Sequence, residues 1–254
     1  MDIYISQLDE TQKILKIIKK YNVGLEVVQF ASPYILDDKD MYLQTYKDEI
    51  KDIYGKTNIS IHGPYADLSV GSRDRDIVKV TKKRLNEGYS IAKELGAKKI
   101  VYHNGYTPNT YTKEEWLNNA ITFWNDFLAD KDDNIDIHIE NTMEEDYLFI
   151  KELVDNVNHK NFSVCLDIGH VNVFSNISVN EWLEGLGDRI KHFHIHNNYG
   201  SKDSHSSIES GNINIIELIK YINKNLKNSS ISLEIVDTNE LINSLEILKK
   251  NGLL

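Results

Sequence analysis

The sequence predicts a protein of the α/β class, a single (β/α)8 TIM barrel over residues 1–254. Two observations lead to this prediction. Apolar segments typical of strands alternate along the chain with amphipathic segments typical of helices, giving about eight β-α units, the number that closes such a barrel. In addition, most of these strands end at a histidine, an aspartate or a glutamate. A doubly wound open sheet is the alternative topology for the same alternation.

The predicted strands have two faces of different chemistry. The strands are Asp2–Ser6, Leu25–Phe30, Ile59–His62, Lys99–His103, Ile135–Glu140, Phe162–Asp167, Ile190–His196 and Ile231–Val236. Successive side chains of a strand point to opposite faces, so polar or small residues fall on one face of these strands and branched or aromatic residues on the other. In a barrel the branched face packs under the helices, and the polar face points inward with its last residue at the C-terminal rim. The histidines and carboxylates are therefore expected to meet at one mouth.

Helix starts and stops are predicted from capping residues. The capping pairs, each followed by an apolar stripe, are Asp9 with Gln12, Thr112 with Glu115, and Ser178 with Glu181. Gly24 is predicted to stop the first helix.

Composition predicts one domain and a cytoplasmic protein without a membrane partner. A hydrophobic content of 41% is enough for a buried core, and no Pro/Ser-rich linker interrupts the chain. Residues 1–6 lack the basic and apolar segments of a signal peptide, and no stretch approaches the roughly 18 apolar residues of a membrane span. The single cysteine, Cys165, excludes an intrachain disulfide.

The segment Phe162–Val173 predicts a metal site. A strand runs into Asp167, and His170 follows three residues later, so both side chains can converge above the strand end. A single histidine of this kind is most simply a structural residue. Independent structural residues have no reason to recur at the end of strand after strand, whereas a metal centre requires carboxylates and imidazoles from several strands to converge.

The sequence resembles the xylose isomerase-like TIM barrels, which include sugar and sugar-phosphate isomerases and epimerases and the DNA-repair enzyme endonuclease IV of the AP endonuclease 2 family. The resemblance covers essentially the whole chain. Its most specific parts are His62-Gly-Pro-Tyr65, Glu140-Asn141, Leu166-Asp-Ile-Gly-His170, and His194 followed by Asp203-Ser-His205.

Resemblance to endonuclease IV implies three zinc ions. Glu140 would bridge two of them, with His62 and His103 completing the first site. The second site would be completed by Asp167, His194 and Glu234, and the third would be formed by His170, Asp203 and His205.

Resemblance to the isomerases and epimerases implies one divalent ion, manganese, magnesium or zinc. Its ligands would be Glu140, Asp167, His194 and Glu234. Glu140 and Glu234 would also be the catalytic acid and base, and His170 would contact the sugar oxygens.

The rim loops favour a sugar over DNA. Asn104 stands where the endonucleases have proline, and Asn197 where they have an acidic residue. The loops hold more acidic than basic residues, which would repel a duplex backbone, while their Tyr, Asn and Thr residues suit a polyhydroxylated ligand. We therefore expect a metal-dependent isomerase or epimerase on a small sugar-like substrate, with nucleic acid less favoured. A multi-zinc phosphodiesterase is the alternative, and a non-catalytic binding module is a weaker one.

Several further residues are candidates for substrate contact. These are Tyr65, Glu26 and His196, with a role inside the barrel as the alternative for Glu26 and a supporting role as the alternative for His196. Arg73 or Arg75 could hold a substrate phosphate, or both could pair with Asp74 and Asp76 at the surface. Packing or supporting roles are expected for Cys165, His138 and His192.

Overall fold

Eight parallel strands close into a barrel in the part of the chain that the structure, a computed structural model, describes, namely residues 1–131 and 134–254. The strands are β1 Ile3–Ser6, β2 Gly24–Val27, β3 Ile59–His62, β4 Lys99–His103, β5 Asp136–Glu140, β6 Phe162–Asp167, β7 Ile190–Ile195 and β8 Ser230–Leu233. They pair in chain order, and β1 pairs with β8 through the register Ile3↔Ile231. This last pairing confirms the predicted TIM barrel and rules out the open sheet.

Helices connect the strands on the outside of the barrel. They are α1 Thr11–Tyr21, α2 Pro33–Asp37, α3 Lys39–Ile50, α4 Arg75–Glu94, α5 Lys113–Leu128, α6 Leu148–Asn156, α7 Ile168–Phe174, α8 Val179–Leu186, α9 Ile215–Asn225 and α10 Thr238–Lys250. Trp116 and Trp124 of α5 and Trp182 of α8 are fully buried between helices and barrel. Within the described residues, none of these helices is long and apolar enough to span a membrane.

The predicted division of the strands into two faces is confirmed. The branched residues Ile61, Ile139 and Leu233 are completely buried in the layer between strands and helices. On the inner face the hydroxyls of Ser6 and Ser60 donate to Glu26, which shows that the polar face points into the barrel. The barrel interior is therefore a hydrogen-bonded polar core.

Several predicted boundaries were wrong by a few residues. Asp9 does not cap α1: its carboxylate accepts a hydrogen bond from the adjacent Glu10 N–H, and the helix begins at Thr11 without a side-chain cap. The helix ends at Tyr21 and is capped by Asn22, whose φ of 54° gives the left-handed turn, so Gly24 starts β2 instead of stopping α1. Strand β2 stops at Val27, because the chain turns into a short 3-10 helix over Gln29–Ala31.

The other capping predictions fared better. Ser178 and Glu181 form the predicted reciprocal capping box at the start of α8. Thr112 accepts from the Glu115 N–H as predicted, but the Glu115 side chain pairs with Arg73 and does not return to the cap. Only one of the two capping-box hydrogen bonds therefore forms, because the Arg73 guanidinium binds the Glu115 carboxylate.

Candidate metal centre

The fold brings the ends of six strands to one mouth. His62, His103, Glu140 and Asp167 are the last residues of β3, β4, β5 and β6, His194 is the penultimate residue of β7, and Glu234 follows β8. Strand register places His103 beside Glu140 and Asp167 beside His194. The second pairing follows an irregularity in register between Val164 and Cys165.

One group of ligand atoms consists of His62, His103 and Glu140, all within 4.8 Å of one another. Glu140 Oε2 lies 3.1 Å from His103 Nε2 and 3.5 Å from His62 Nε2. The other ring nitrogen of His62, Nδ1, contacts the Gly63 carbonyl at 3.1 Å. When Nδ1–H donates to that carbonyl, the lone pair of Nε2 is left facing Glu140.

A second group shares Glu140 and consists of Glu140, Asp167, His194 and Glu234. His194 Nδ1 lies 3.1 Å from Glu140 Oε1 and 3.1 Å from Glu234 Oε2. Asp167 Oδ2 is 4.0 Å from the same nitrogen. Three carboxylates and one imidazole with little or no exposure are a ligand set suited to a divalent cation.

A third group contains His170, Asp203 and His205 together with His196. Asp203 Oδ2 lies 3.0 Å from His205 Nε2 and 3.3 Å from His170 Nε2. His170 Nδ1 contacts the Asn141 carbonyl at 2.9 Å, which directs Nε2 towards Asp203. His196 stacks on His205 with ring centroids 3.9 Å apart. Sequence reasoning did not place His196 among the ligands, although it lies two residues after His194.

Unpartnered polar atoms indicate that the three groups fit metal ions. His103 Nε2, Glu140 Oε2 and His194 Nδ1 are buried, and no group of the described residues meets them in hydrogen-bond geometry. In the third group, Asp203 Oδ1 is likewise buried without a hydrogen-bond partner among the described residues. Buried polar groups are normally paired, and each such atom costs roughly 1–3 kcal/mol. A shared cation at each group would satisfy these atoms together.

Electrostatics keep the carboxylates charged. Burial raises the pKa of Glu140, but the positive charge of His194 and the adjacent imidazole of His103 outweigh it and hold the pKa well below its usual range. His170 and His196 likewise outweigh the effect of burial on Asp167 and lower its pKa to about 2. In the absence of a metal, the histidines thus supply the balancing charge, as the pKa of His194, raised well above its usual value, also shows.

Glu26 lies beneath the centre and is completely buried. Its Oε1 is 3.0 Å from His194 Nε2, and its Oε2 is 3.1 Å from His192 Nε2. Of the two roles considered for Glu26, this position corresponds to the one inside the barrel. His138, Cys165 and His192 are also buried below the mouth, as expected.

Two asparagines that carried no predicted role support the rim. Asn141 donates its side-chain N–H to the Asp167 carbonyl at 2.9 Å and accepts from the Asp167 N–H at 2.8 Å. Asn198 donates to the Gly169 carbonyl at 3.0 Å. The sequence signal for Asn141 was its position directly after Glu140. These bonds fix the loop that carries Asp167 and His170.

The remaining candidates lie at the edge of the mouth or outside it. The Tyr65 ring is 42% exposed and stacks on His103 with centroids 4.6 Å apart. His196 is fully buried, and its Nε2 contacts Asp167 Oδ2 at 3.2 Å. Arg73 pairs with Glu115, not with Asp74, so the predicted surface pairing had the wrong partner. Asp74 caps α4 instead.

Comparison with known proteins assigns the family. A family model described as "Xylose isomerase-like TIM barrel" matches residues 10–251. The uncharacterized protein MJ1311 of Methanocaldococcus jannaschii is 30% identical over 254 residues, which is 94% of this chain and 84% of that protein.

Solved structures of the same shape include a sugar epimerase relative. The crystal structure of a D-tagatose 3-epimerase-like protein superposes with a TM-score of 0.79 at 27% identity, covering 99% of this chain and 97% of that one. The TTHB071 protein of Thermus thermophilus, soaked with ZnCl2, has the same fold, with a TM-score of 0.78 at 23% identity and coverage of 99% and 98%. The chain belongs to the family of xylose isomerase-like TIM barrels.

Proposed function

We propose that the protein is a divalent-metal-dependent isomerase or epimerase acting on a small sugar or sugar phosphate. One observation carries the proposal: Glu140 and Glu234 each place a carboxylate oxygen 3.1 Å from the same nitrogen of His194, in a group completed by Asp167. Two carboxyl groups beside one ligand set can supply a proton acceptor and, once one of them has taken up a proton, a proton donor.

The two glutamates have complementary roles in this proposal. A divalent ion held by Glu140, Asp167, His194 and Glu234 would polarise oxygen atoms of the substrate. One glutamate, as the carboxylate, removes the proton from the carbon next to the carbonyl and becomes protonated. The other glutamate first takes up a proton from water and then returns it to the substrate. Both have lowered pKa values because His194 outweighs the effect of burial, so both are ionised and able to accept a proton at neutral pH.

Substrate contact falls to the more accessible residues. Tyr65 offers an exposed ring, and His170 keeps partial exposure between the second and third groups. We assign Glu26 and His196 to the support of His194 and Asp167, because neither is accessible. The similarity to the D-tagatose 3-epimerase-like protein supports a ketose as the substrate.

A multi-zinc phosphodiesterase is the second candidate. All nine ligands expected for it fall into three groups, two of which share Glu140. An isomerase needs only four of these ligands. Against this candidate stands the acidic rim, which disfavours a nucleic-acid backbone.

The test combines metal content with two assays. The protein is loaded with manganese, cobalt, magnesium or zinc, and its metal content is measured by mass spectrometry. D-Tagatose in D2O is followed by NMR for deuterium at the carbon next to the carbonyl, and cleavage of an abasic-site oligonucleotide is followed in parallel. We expect metal-dependent exchange on the sugar and no cleavage. Cleavage with two or three zinc ions, and no sugar exchange, would select the phosphodiesterase.

A substitution tests the site itself. Glu234→Gln is expected to reduce turnover by about 10²–10⁴-fold because it removes a proton acceptor. The matched control is Glu209→Gln, an exposed glutamate of the loop after β7. Full activity of Glu234→Gln with metal bound would show that the site assignment is wrong.

A further inference from the structure

A second cavity lies next to the metal centre on the same side of the barrel. It measures about 160 Å³ and lies between the loop after β4 and the loop after β5. Its walls include Tyr106, Tyr111, Glu144, Glu145 and Phe149. We call it the Tyr106 pocket. None of its residues takes part in the ligand groups described above.

Glu144 offers one free oxygen in this pocket. Its side chain is only 4% exposed, and its Oε2 accepts a hydrogen bond from the Thr142 N–H at 2.6 Å. The other oxygen, Oε1, is buried and has no hydrogen-bond partner. A buried carboxyl oxygen without a partner is costly to the fold and requires an explanation. A ligand group in the cavity would supply the missing partner once the Glu144 side chain turns this oxygen towards it.

The charges of the pocket favour a ligand that is not an anion. Glu144, Glu145 and Asp146 contribute three carboxyl groups, and Lys113 contributes one amine. Burial raises the pKa of Glu144 to about 7, because it outweighs the backbone hydrogen bonds and the charge of His170, which lower the pKa. An incoming ammonium or hydroxyl group would be stabilised by Glu144 Oε1, whereas a phosphate would be repelled by the lining.

The other walls suit the carbon skeleton of a sugar. Tyr106 packs against Phe149 with ring centroids 4.7 Å apart and against Trp116 in an edge-to-face contact at 5.4 Å. These contacts hold the aromatic ring in place, so it can receive the C–H face of a ligand without being reordered.

The pocket is close enough to the metal centre to serve the same substrate. Glu144 lies on the loop that begins directly after Glu140, and the charges of His170 and Glu140 both act on its carboxyl group. A substrate held between Glu140 and Glu234 would therefore have one end near this loop.

We propose that the Tyr106 pocket is a substrate subsite that binds the end of the sugar remote from the metal, and that it selects a hydrogen-bond-donating amino or hydroxyl group over phosphate through Glu144. This inference rests on the proposed function and narrows its substrate class. The inference excludes, as a substrate, any sugar phosphate whose phosphate group lies at the end remote from the metal.

The experiment uses three ketohexoses that differ only at carbon 6. These are 6-amino-6-deoxy-D-tagatose, D-tagatose and D-tagatose 6-phosphate, titrated by calorimetry into the metal-loaded protein. We expect affinity to fall in that order, with the amino sugar at least about tenfold tighter than the phosphate, as expected for a charge-assisted bond. In Glu144→Gln the advantage of the amino sugar over D-tagatose should fall about tenfold.

The control is Glu145→Gln, which removes the same charge from the pocket at an exposed position. Glu145→Gln should keep most of the preference, and both variants should keep wild-type metal content and melting temperature near pH 5. Tighter binding of the phosphate, or equal effects of the two substitutions, would overturn the subsite while D-tagatose exchange still supports the proposed function. If none of the three sugars binds or exchanges, both proposals are wrong.

Discussion

Glu26 Oε1 lies 3.0 Å from His194 Nε2, on the side of the ring opposite to the nitrogen that faces Glu140 and Glu234. The Glu26 carboxylate is ionised, because His194 and His192 outweigh burial and hold its pKa well below the usual range. A carboxylate at this position stabilises a proton on Nε2 and leaves Nδ1 as the metal ligand.

Removal of this charge should therefore weaken metal binding. Glu26→Gln is expected to reduce manganese affinity by about 10–100-fold, as measured by calorimetry. Ser60→Ala is the control, because it removes a hydrogen bond to Glu26 but leaves the charge. Equal affinities for Glu26→Gln and the wild type would show that Glu26 only fills the barrel.

In the zinc-loaded protein without sugar, where His170 is free to bind metal, the third ligand group should hold its own ion. Asp203 contacts both His170 and His205, so Asp203→Asn removes the central ligand of the group. We expect zinc content to fall by one ion per chain, with the Glu140 and Glu234 sites still occupied. His205→Ala should give the same stoichiometry. Unchanged zinc content in both variants would leave the third group without a metal role.

Glu144 should make stability depend on pH. Its folded pKa of about 7 exceeds the value of 4.5 for a free glutamate, so the folded state binds more protons than the unfolded state between these values. The free energy of unfolding therefore falls as pH rises through this window. Glu144→Gln removes the titration and should be more stable than the wild type at pH 8 by about 1–3 kcal/mol.

Chemical denaturation at pH 4.5 and pH 8 measures this difference. It should vanish near pH 4.5, where the wild-type carboxyl group is neutral in the folded state. A difference of the same size at both pH values would indicate a packing effect and not a titration.

Gly169 should be required for the third ligand group. A Cβ atom at this position would lie 1.9 Å from His196 Cε1, inside the van der Waals contact distance. We expect Gly169→Ala to displace His196, to destabilise the fold by about 1–3 kcal/mol, and to weaken zinc binding at this group. Urea denaturation and zinc titration measure the two effects.

Gly55→Ala separates steric overlap from backbone strain. A Cβ at Gly55 meets nothing within 4 Å, although the φ of 71° makes alanine unfavourable there. This control should cost roughly 1–2 kcal/mol and leave zinc binding unchanged. Unaltered zinc binding in Gly169→Ala would show that His196 is dispensable for the group.

The amino-acid sequence by itself determined the barrel and most of its polar mouth. Period-two alternation decides which side chains of a strand can face inward, so His62, His103, Glu140 and Asp167 were predicted to line one rim. Resemblance to a known family then divided the ligands among metal sites. This division stays a prediction, because the structure brings the same side chains together in overlapping groups that also link His62 with His194 and Glu234. Strand alternation is a local property, so the predicted faces stay correct even where the predicted strand ends are wrong by a few residues.

Only the tertiary structure decided features that depend on contacts between distant segments. The partner of Arg73 is Glu115 of α5, and His196 joins the third group because its Nε2 lies 3.6 Å from Asp203 Oδ1. The depth of Glu26 and the free oxygen of Glu144 likewise depend on which groups surround them in space. Burial and hydrogen-bond satisfaction are properties of packed neighbours, and a linear pattern does not specify them.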